Sequence, residues 1–396
     1  MNLRDDEREH QLRVEIRAWL DENVPSASAR LAPMASGAEA LERMMQWQQR
    51  VFAAGWAGIT VPKRYGGRGG EVWQQNIWNE EAVRAGLSPG MLSVALGMVV
   101  PTLLAMGSDQ QKERYIEPIL RGEAMWSQLF SEPEAGSDLA SLRTTARRDG
   151  DTWVVQGQKV WTSEAQHADH AILLARTGST EERHRGLTYF LVDMRSEGIE
   201  IRPLVDMSGE HHFNEVFLDG LRVPLDAVVG EVGGGWAVAT ATLNSERAVI
   251  GGGMWGLKFS DIAELARSAG RTSDPAVRQT LARVYEGYFV LEALRLRARS
   301  GANSQSSGPE AAVLKLLTTL HMCWVANVAV DLLGVAGLLT GEDAPEGDDW
   351  ARLLVRSFSL RFAGGTSEIQ RNVLAERLLG LPRDPRPLSQ VSTKSV

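Results

Sequence analysis

The chain has 396 residues, 43% hydrophobic and 23% charged, which allows about two to three packed domains and excludes wholesale disorder. A net charge of -8 disfavours a general grip on nucleic acid, which needs clustered Lys and Arg, and favours a small-molecule partner. A lone cysteine, Cys323, excludes internal disulfides and a cysteine-based zinc site and fits a reducing compartment, so a cytoplasmic location is expected.

The first residues, MNLRDDEREH, are charged, and no apolar run approaches the roughly 18 to 20 residues that cross a bilayer. Neither a signal peptide nor a membrane span is expected. From Asp5 to about Gly122 the apolar period is helical: Leu12, Ile16 and Leu20 recur every fourth residue, and the period returns from Leu41 to Phe52 and from Val94 to Leu104. Residues 1–123 therefore read as an all-helical domain, broken by loops at Pro62 and at Gly66, Gly67, Gly69 and Gly70.

Residues 124–232 change to short β-branched and aromatic runs bounded by turn signals. The stretch MWSQLFSEPEAGSDLASL, Met125 to Leu142, carries Ser127, Ser131 and Ser137 with Pro133 and Gly136 and reads as a shaped loop. Asp149 and Gly150 sit between two alternating runs as a hairpin turn. Ala171–Arg176, Leu187–Met194, Ile199–Leu204 and Asn214–Pro224 add antiparallel candidates, enough for a barrel or sandwich. His167 with His170, and His211 with His212, lack a third ligand at sensible spacing, so no metal is expected.

Residues 233–396 are helical again, from Trp236 to about Met254, Phe259 to Ala269, Pro275 to Arg299, Glu310 to Leu333, Trp350 to Leu360 and Ser367 to Leu379. The order of helices, β domain and helical bundle makes α+β the fold class. Gly251, Gly253 and Gly256 satisfy GxGxxG, but they follow a helical run where a dinucleotide fingerprint needs a strand-to-helix turn. Glu246 shares a helix face with Ala239, Thr242, Leu243, Val249, Ile250 and Gly253, so an acid sits in an apolar stripe. Burial there would raise its pKa, as a base working near neutrality requires; a structural pair with Arg247 or another buried Arg is the competing reading. In RFAGGTSEIQRNVLAERLLGLPR, Gly364 and Gly365 permit close backbone approach, and Ser367 with Gln370 matches a capping box that would start a helix.

Taken together, LFSEPEAGSD, KVWTS, LNSERAVIGGG and GGTSEIQRNVLAERLLGLPR resemble the acyl-CoA dehydrogenase family, in the same order and over nearly the whole chain. The style is closest to actinobacterial members, some of which act on steroid-derived or branched acyl thioesters. The resemblance implies a helical, a β-barrel and a bundle-like helical domain, with FAD between the last two. It implies that Leu129, Ser131, Thr162 and Ser163 contact the flavin, that Trp161 covers one of its faces, and that Gly334, Thr366 and Glu368 also touch FAD. Ser137 would meet the pantetheine end of the acyl-CoA thioester, with Asn244, Arg247 and the Gly365 amide as further substrate contacts. The implied reaction is removal of the α-proton and transfer of the β-hydride to flavin N5, giving a trans-2-enoyl-CoA.

Most members carry the catalytic Glu just before the GT of the C-terminal motif, where this chain has Gly364. The isovaleryl-CoA, long-chain and some steroid-acyl branches carry it on the earlier helix instead, which makes Glu246 the expected base. The usual Arg-x-x-Phe-Gly segment is missing from Arg267–Gln279, leaving Arg271 and Arg278 as candidates for the FAD phosphates, and one of the usual paired glycines beside Gly334 is Val335. Two assemblies remain open. One is a homo-oligomer, dimeric or tetrameric, passing electrons to an electron-transfer flavoprotein. The other is a hetero-oligomer in which this chain is mainly structural or completes a partner's FAD site.

Overall fold

A computed structural model describes residues 5–24, 37–87, 90–251, 257–300, 309–339, 341–344 and 349–383. The chain opens with α1 (Glu7–Asn23), α2 (Ala38–Ala53), α3 (Val72–Arg84), α4 (Val100–Met106) and α5 (Asp109–Leu120). Side-chain caps start two of these helices: Asp6 accepts from the Glu9 amide and Ser108 from the Gln111 amide. The fourfold spacing of Leu12, Ile16 and Leu20 places all three in the core. A π-helical turn, Ala95–Val99, runs directly into α4.

Eight strands follow: β1 (Trp126–Leu129), β2 (Thr145–Asp149), β3 (Thr152–Ser163), β4 (His170–Arg176), β5 (Leu187–Asp193), β6 (Ile199–Leu204), β7 (Phe213–Pro224) and β8 (Val228–Val229). They form one sheet in the order β6-β7-β3-β2-β4-β5-β8, with β1 pairing to β4. The expected antiparallel pairings are joined by two parallel ones, β1 with β4 and β2 with β4. The β2–β3 hairpin forms as predicted, but only Gly150 takes a positive φ, at 57°, while Asp149 stays in its strand. The start of the expected loop at Met125–Leu142 is a strand, because neighbouring β4 satisfies the backbone of residues 126–129.

The C-terminal part contains α6 (Gly235–Gly251), α7 (Phe259–Ser268), α8 (Pro275–Ser300), α9 (Pro309–Leu333), α10 (Asp349–Ser357) and α11 (Ser367–Val373), which continues as a π turn through Leu378. The expected extension of α6 to Met254, with Gly253 and Gly256, lies outside the described residues. Ala311–Leu338 is long and apolar enough to cross a membrane, contrary to the expectation from sequence. In the fold this run is largely α9, packed against α6, α8 and α10 as the central helix of the bundle.

Helix α6 is where the three parts meet, since it contacts α4 and the π turn, β5, and α9. A buried hydrogen-bond node marks the junction. Thr242 Oγ1 donates to Val238 O at 3.1 Å and lies 2.9 Å from Thr102 Oγ1 of α4 and 3.0 Å from the Tyr189 hydroxyl of β5. Glu246 stands one turn further along the same helix.

Candidate active site

Strand β1 builds one wall of the site by simple alternation. Ser127 and Leu129 point into the sheet side, where Leu129 belongs to the β core, while Trp126 and half-buried Gln128 point the other way. The loop that follows is tied down by a buried ion pair. Fully buried Lys159 donates to Glu132 Oε1 at 2.9 Å and to the carbonyls of Phe130 and Leu174, and Glu132 also accepts from the Arg143 and Thr144 amides. Burial acts to raise the Glu132 pKa, but the Lys159 charge and these donors hold it below its ordinary value; burial pushes Lys159 down to about 8 against the pull of Glu132. Ser137 lies exposed on this loop.

The end of β3 comes alongside. The Val160 amide donates to Ser131 O at 2.9 Å, and Ser127 Oγ donates to Ser163 O at 2.8 Å. A break in the β3–β7 register between Lys159 and Thr162 frees Trp161, which takes φ 60° and is 58% exposed. A left-handed non-glycine residue costs about 1–2 kcal/mol, and an exposed indole buries little in return. Thr162 Oγ1 is buried with no hydrogen-bond partner among the described residues. An aromatic plane held in strain beside an unpartnered buried hydroxyl and the half-buried Ser163 suits a planar, polar-edged ligand such as an isoalloxazine.

The carboxylate of Glu246 forms the other centre. Burial raises its pKa; Arg247 opposes that shift most, followed by hydrogen bonds from the Gln128 side chain and the Gly364 amide and by the charge of Lys315. The Arg247 guanidinium donates to Asn244 Oδ1. Burial lowers the Arg247 pKa, offset by Glu246. Gly364 and Gly365 turn with φ of 65° and 92°, and a Cβ on Gly364 would lie 3.8 Å from Glu246 Oε1 and 2.7 Å from Ile250 Cδ1. A side chain at 364 would thus reach the place that the Glu246 carboxylate takes.

The capping prediction needs correction by one residue. Thr366 is the N-cap of α11, accepting from the Ile369 amide at 3.2 Å, and Ser367 is already inside the helix, buried. Gln370 turns back to the preceding turn, donating to Gly364 O at 2.8 Å and Gly365 O at 3.2 Å. With Thr366 as N-cap the residue three on is Ile369, which has no side-chain acceptor, so no capping box forms.

The structure therefore gathers Ser131, Trp161, Thr162 and Ser163 at one wall and Glu246, Asn244, Arg247, Gly365 and Thr366 at the other, bridged by Gln128. Leu129 can reach a cofactor only through its main chain, because its side chain is in the β core. Glu368 is exposed and pairs with Arg371. Gly334 opens a separate turn, Gly334–Leu338, against α9 and α10. Arg271 pairs with Asp274, and Arg278 is exposed on the first turn of α8. Sequence reasoning missed Gln128 and Lys315. The second carried the same signal as Glu246, a lone charge in the apolar run AAVLKLLTTL.

Residues 6–123, 127–220 and 233–379 match the family models described as acyl-CoA dehydrogenase N-terminal, middle and C-terminal domains. The chain is 38% identical over 382 residues to a Mycobacterium tuberculosis protein named Acyl-CoA dehydrogenase IpdE1, covering 95% of this chain and 98% of that one. Among solved structures, one described as the Tcur3481-Tcur3483 steroid ACAD is similar with a TM-score of 0.83 and 34% identity, over 97% of this chain and 100% of that one. The ChsE4-ChsE5 complex from Mycobacterium tuberculosis gives a TM-score of 0.78 and 30% identity, over 97% and 100%.

Proposed function

The chain belongs to the acyl-CoA dehydrogenase family, and from that premise we propose that it desaturates a branched or otherwise bulky acyl-CoA with Glu246 as its base. It is an FAD-dependent acyl-CoA dehydrogenase. The observation that carries the base assignment is the Gly364 turn: the side chain absent from 364 would converge on the Glu246 carboxylate, so either position can serve the same point in space. In the forward step an Oε–H bond forms at Glu246 as the substrate's Cα–H bond breaks. The electron pair left at Cα becomes the new C=C as the β-hydrogen departs as hydride. Bound FAD supplies the two-electron acceptor for that hydride. Ser131, Trp161, Thr162, Ser163 and Thr366, with the main chain of Leu129, would hold the cofactor, with Glu368 and Gly334 at its outer contacts. Trp161 excludes water from one side, and the Gly365 amide is the candidate donor to the thioester carbonyl, where charge builds up. Ser137, Asn244 and Arg247 are kept as substrate contacts.

A raised carboxylate pKa suits this base, since a pKa nearer the working pH improves general-base efficiency. The preference for bulk rests on the missing side chain at 364 and on the steroid ACAD among the similar structures. We further propose an electron-transfer flavoprotein as acceptor, a cytoplasmic location, and domain limits at 1–123, 124–232 and 233–396. An oligomer, with a second copy or a related subunit, is supported by apolar side chains left exposed on the C-terminal part, among them Tyr285, Phe289, Val335 and Leu338. A partner-completing role is the second reading. It is favoured by Val335, 82% exposed beside Gly334, and by the complexes among the similar structures.

The test is anaerobic bleaching of the flavin band by a panel of acyl-CoA esters, wild type beside Glu246→Gln. The variant should keep its yellow colour and lose about 10²–10⁴-fold in bleaching rate. Equal bleaching by the variant would remove Glu246 as base, and preference for butyryl-CoA over every branched ester would remove the bulky-substrate reading.

A further inference from the structure

We propose that Lys315 is a positioning residue for the active-site carboxylate, holding the Gly364–Gly365 turn against Glu246 and adding a buried positive charge to that of Arg247. The catalytic meaning of this rests on the reading of Glu246 as base; the structural coupling does not.

Lys315 lies in the second turn of α9, inside the apolar run AAVLKLLTTL, and its side chain is fully buried. A buried ammonium is costly unless it is both hydrogen-bonded and electrostatically paired. Its hydrogen bond goes to Gly365 O, at 2.5 Å. A carbonyl supplies no charge, so the electrostatic partner lies elsewhere. Glu246 on α6 is the strongest charged influence on Lys315, ahead of Arg247 on α6, Cys323 on α9 and Glu368 on α11. In the other direction, Glu246 is acted on by Arg247, by the Gln128 and Gly364 donors, and by Lys315.

The two roles meet in the turn. Both glycines hold positive φ, so the peptide planes here have few side-chain restraints of their own and are fixed from outside. Gln370 grips both carbonyls, and Lys315 grips Gly365 O at the shorter distance. The orientation of these planes decides where the Gly364 amide points, and the turn lies against the carboxylate, since a Cβ on Gly364 would come 3.8 Å from Glu246 Oε1. A neutral donor in α9 could fasten the turn equally well. A cation in addition acts on the buried carboxylate of the facing helix, in the same direction as Arg247 and the Gln128 and Gly364 donors and behind them in size. Burial pushes the Lys315 pKa down to about 8, so the charge is present at neutral pH and is lost as pH rises past that value.

The experiment follows the carboxyl band of Glu246 by infrared difference spectroscopy in the FAD-loaded protein, as a function of pH. Its assignment comes from loss of the band in Glu246→Gln. In Lys315→Met the band should titrate at higher pH than in the wild type. The acid limb of kcat/KM should move by the same amount and in the same direction. A role confined to bundle packing would lower thermal stability and leave both titrations where they were; superimposable titrations overturn the proposal. Lys315→Gln keeps a donor without the charge and should show the same upward shift, which decides the matter if the Met variant does not fold. Full turnover by Glu246→Gln would remove the base reading, whereas the band shift reports on the Lys315–Glu246 coupling by itself.

Discussion

Glu164, the residue after β3, is held in an unfavourable state on two counts, a φ of 52° and a carboxylate in a residue only 6% exposed. Burial pushes its pKa up to about 7 from 4.5, with Arg356 opposing and Glu210 reinforcing the shift. Between pH 4.5 and 7 the folded chain keeps a proton that the unfolded chain releases. This contribution to stability is fully present below about 4.5 and is lost as pH rises through about 7. Glu164→Gln removes the ionisable group, so the variant should gain on the order of 2–3 kcal/mol over wild type at pH 8 and little at pH 4.5. Thermal melts of both proteins at the two pH values check this; an equal gap at both would mean that Glu164 titrates near its ordinary value. Ser163 precedes this residue, so the same strained corner sets the hydroxyl assigned to the flavin.

At the scale of elements, the turn from Gly364 to α11 shows how one residue of offset changes roles. Thr366 caps the helix and Ser367 Oγ is buried without a partner among the described residues. Thr366→Ala should therefore destabilise the protein by about 1 kcal/mol. Ser367→Ala should be nearly neutral, because removing an unpaired buried hydroxyl loses no bond. Urea unfolding of the apoprotein measures both, and a larger loss in the serine variant would restore the spacing read from the sequence. The S-x-x-Q pattern was legible but ambiguous, since TSEI and SEIQ both offer a capping hydroxyl. What decides between them is the Gly364–Gly365 turn, which leaves Thr366 in extended backbone with its hydroxyl on the Ile369 amide and Ser367 already in the helix. Strand β1 was misread for a related reason: a four-residue strand has almost no period, and its pairing comes wholly from β4.

The whole molecule is held at its centre by the Thr102–Thr242–Tyr189 node, which ties a helix of the first part, a strand of the sheet and α6. Thr242→Val keeps the shape and removes the shared oxygen. It leaves two buried hydroxyls facing a methyl, at a cost of about 1–3 kcal/mol. Calorimetry should show that loss in a single transition if the three parts unfold together; an early, separate melting of one part would show that the node is not what joins them. Because Glu246 lies one turn beyond, the same variant should also slow flavin bleaching. The Gln111 amide makes a second tie, donating to the carbonyls of Asp226 and Val228 at 2.9 and 2.8 Å.

The sequence by itself determined the class of fold and most of its elements, because helix and strand periods are written locally and the apolar faces of α1, β4, β5 and α6 are dense enough to read. It also singled out Glu246, since a charge in an apolar stripe is visible without coordinates. Tertiary structure alone decided what surrounds that charge. Gln128 is 118 residues before it, Lys315 lies 69 residues after it, and the Gly364 amide 118 residues after it. Hydrogen bonds and fields act through distances of a few ångströms, and no spacing in a chain states which distant segments come that close.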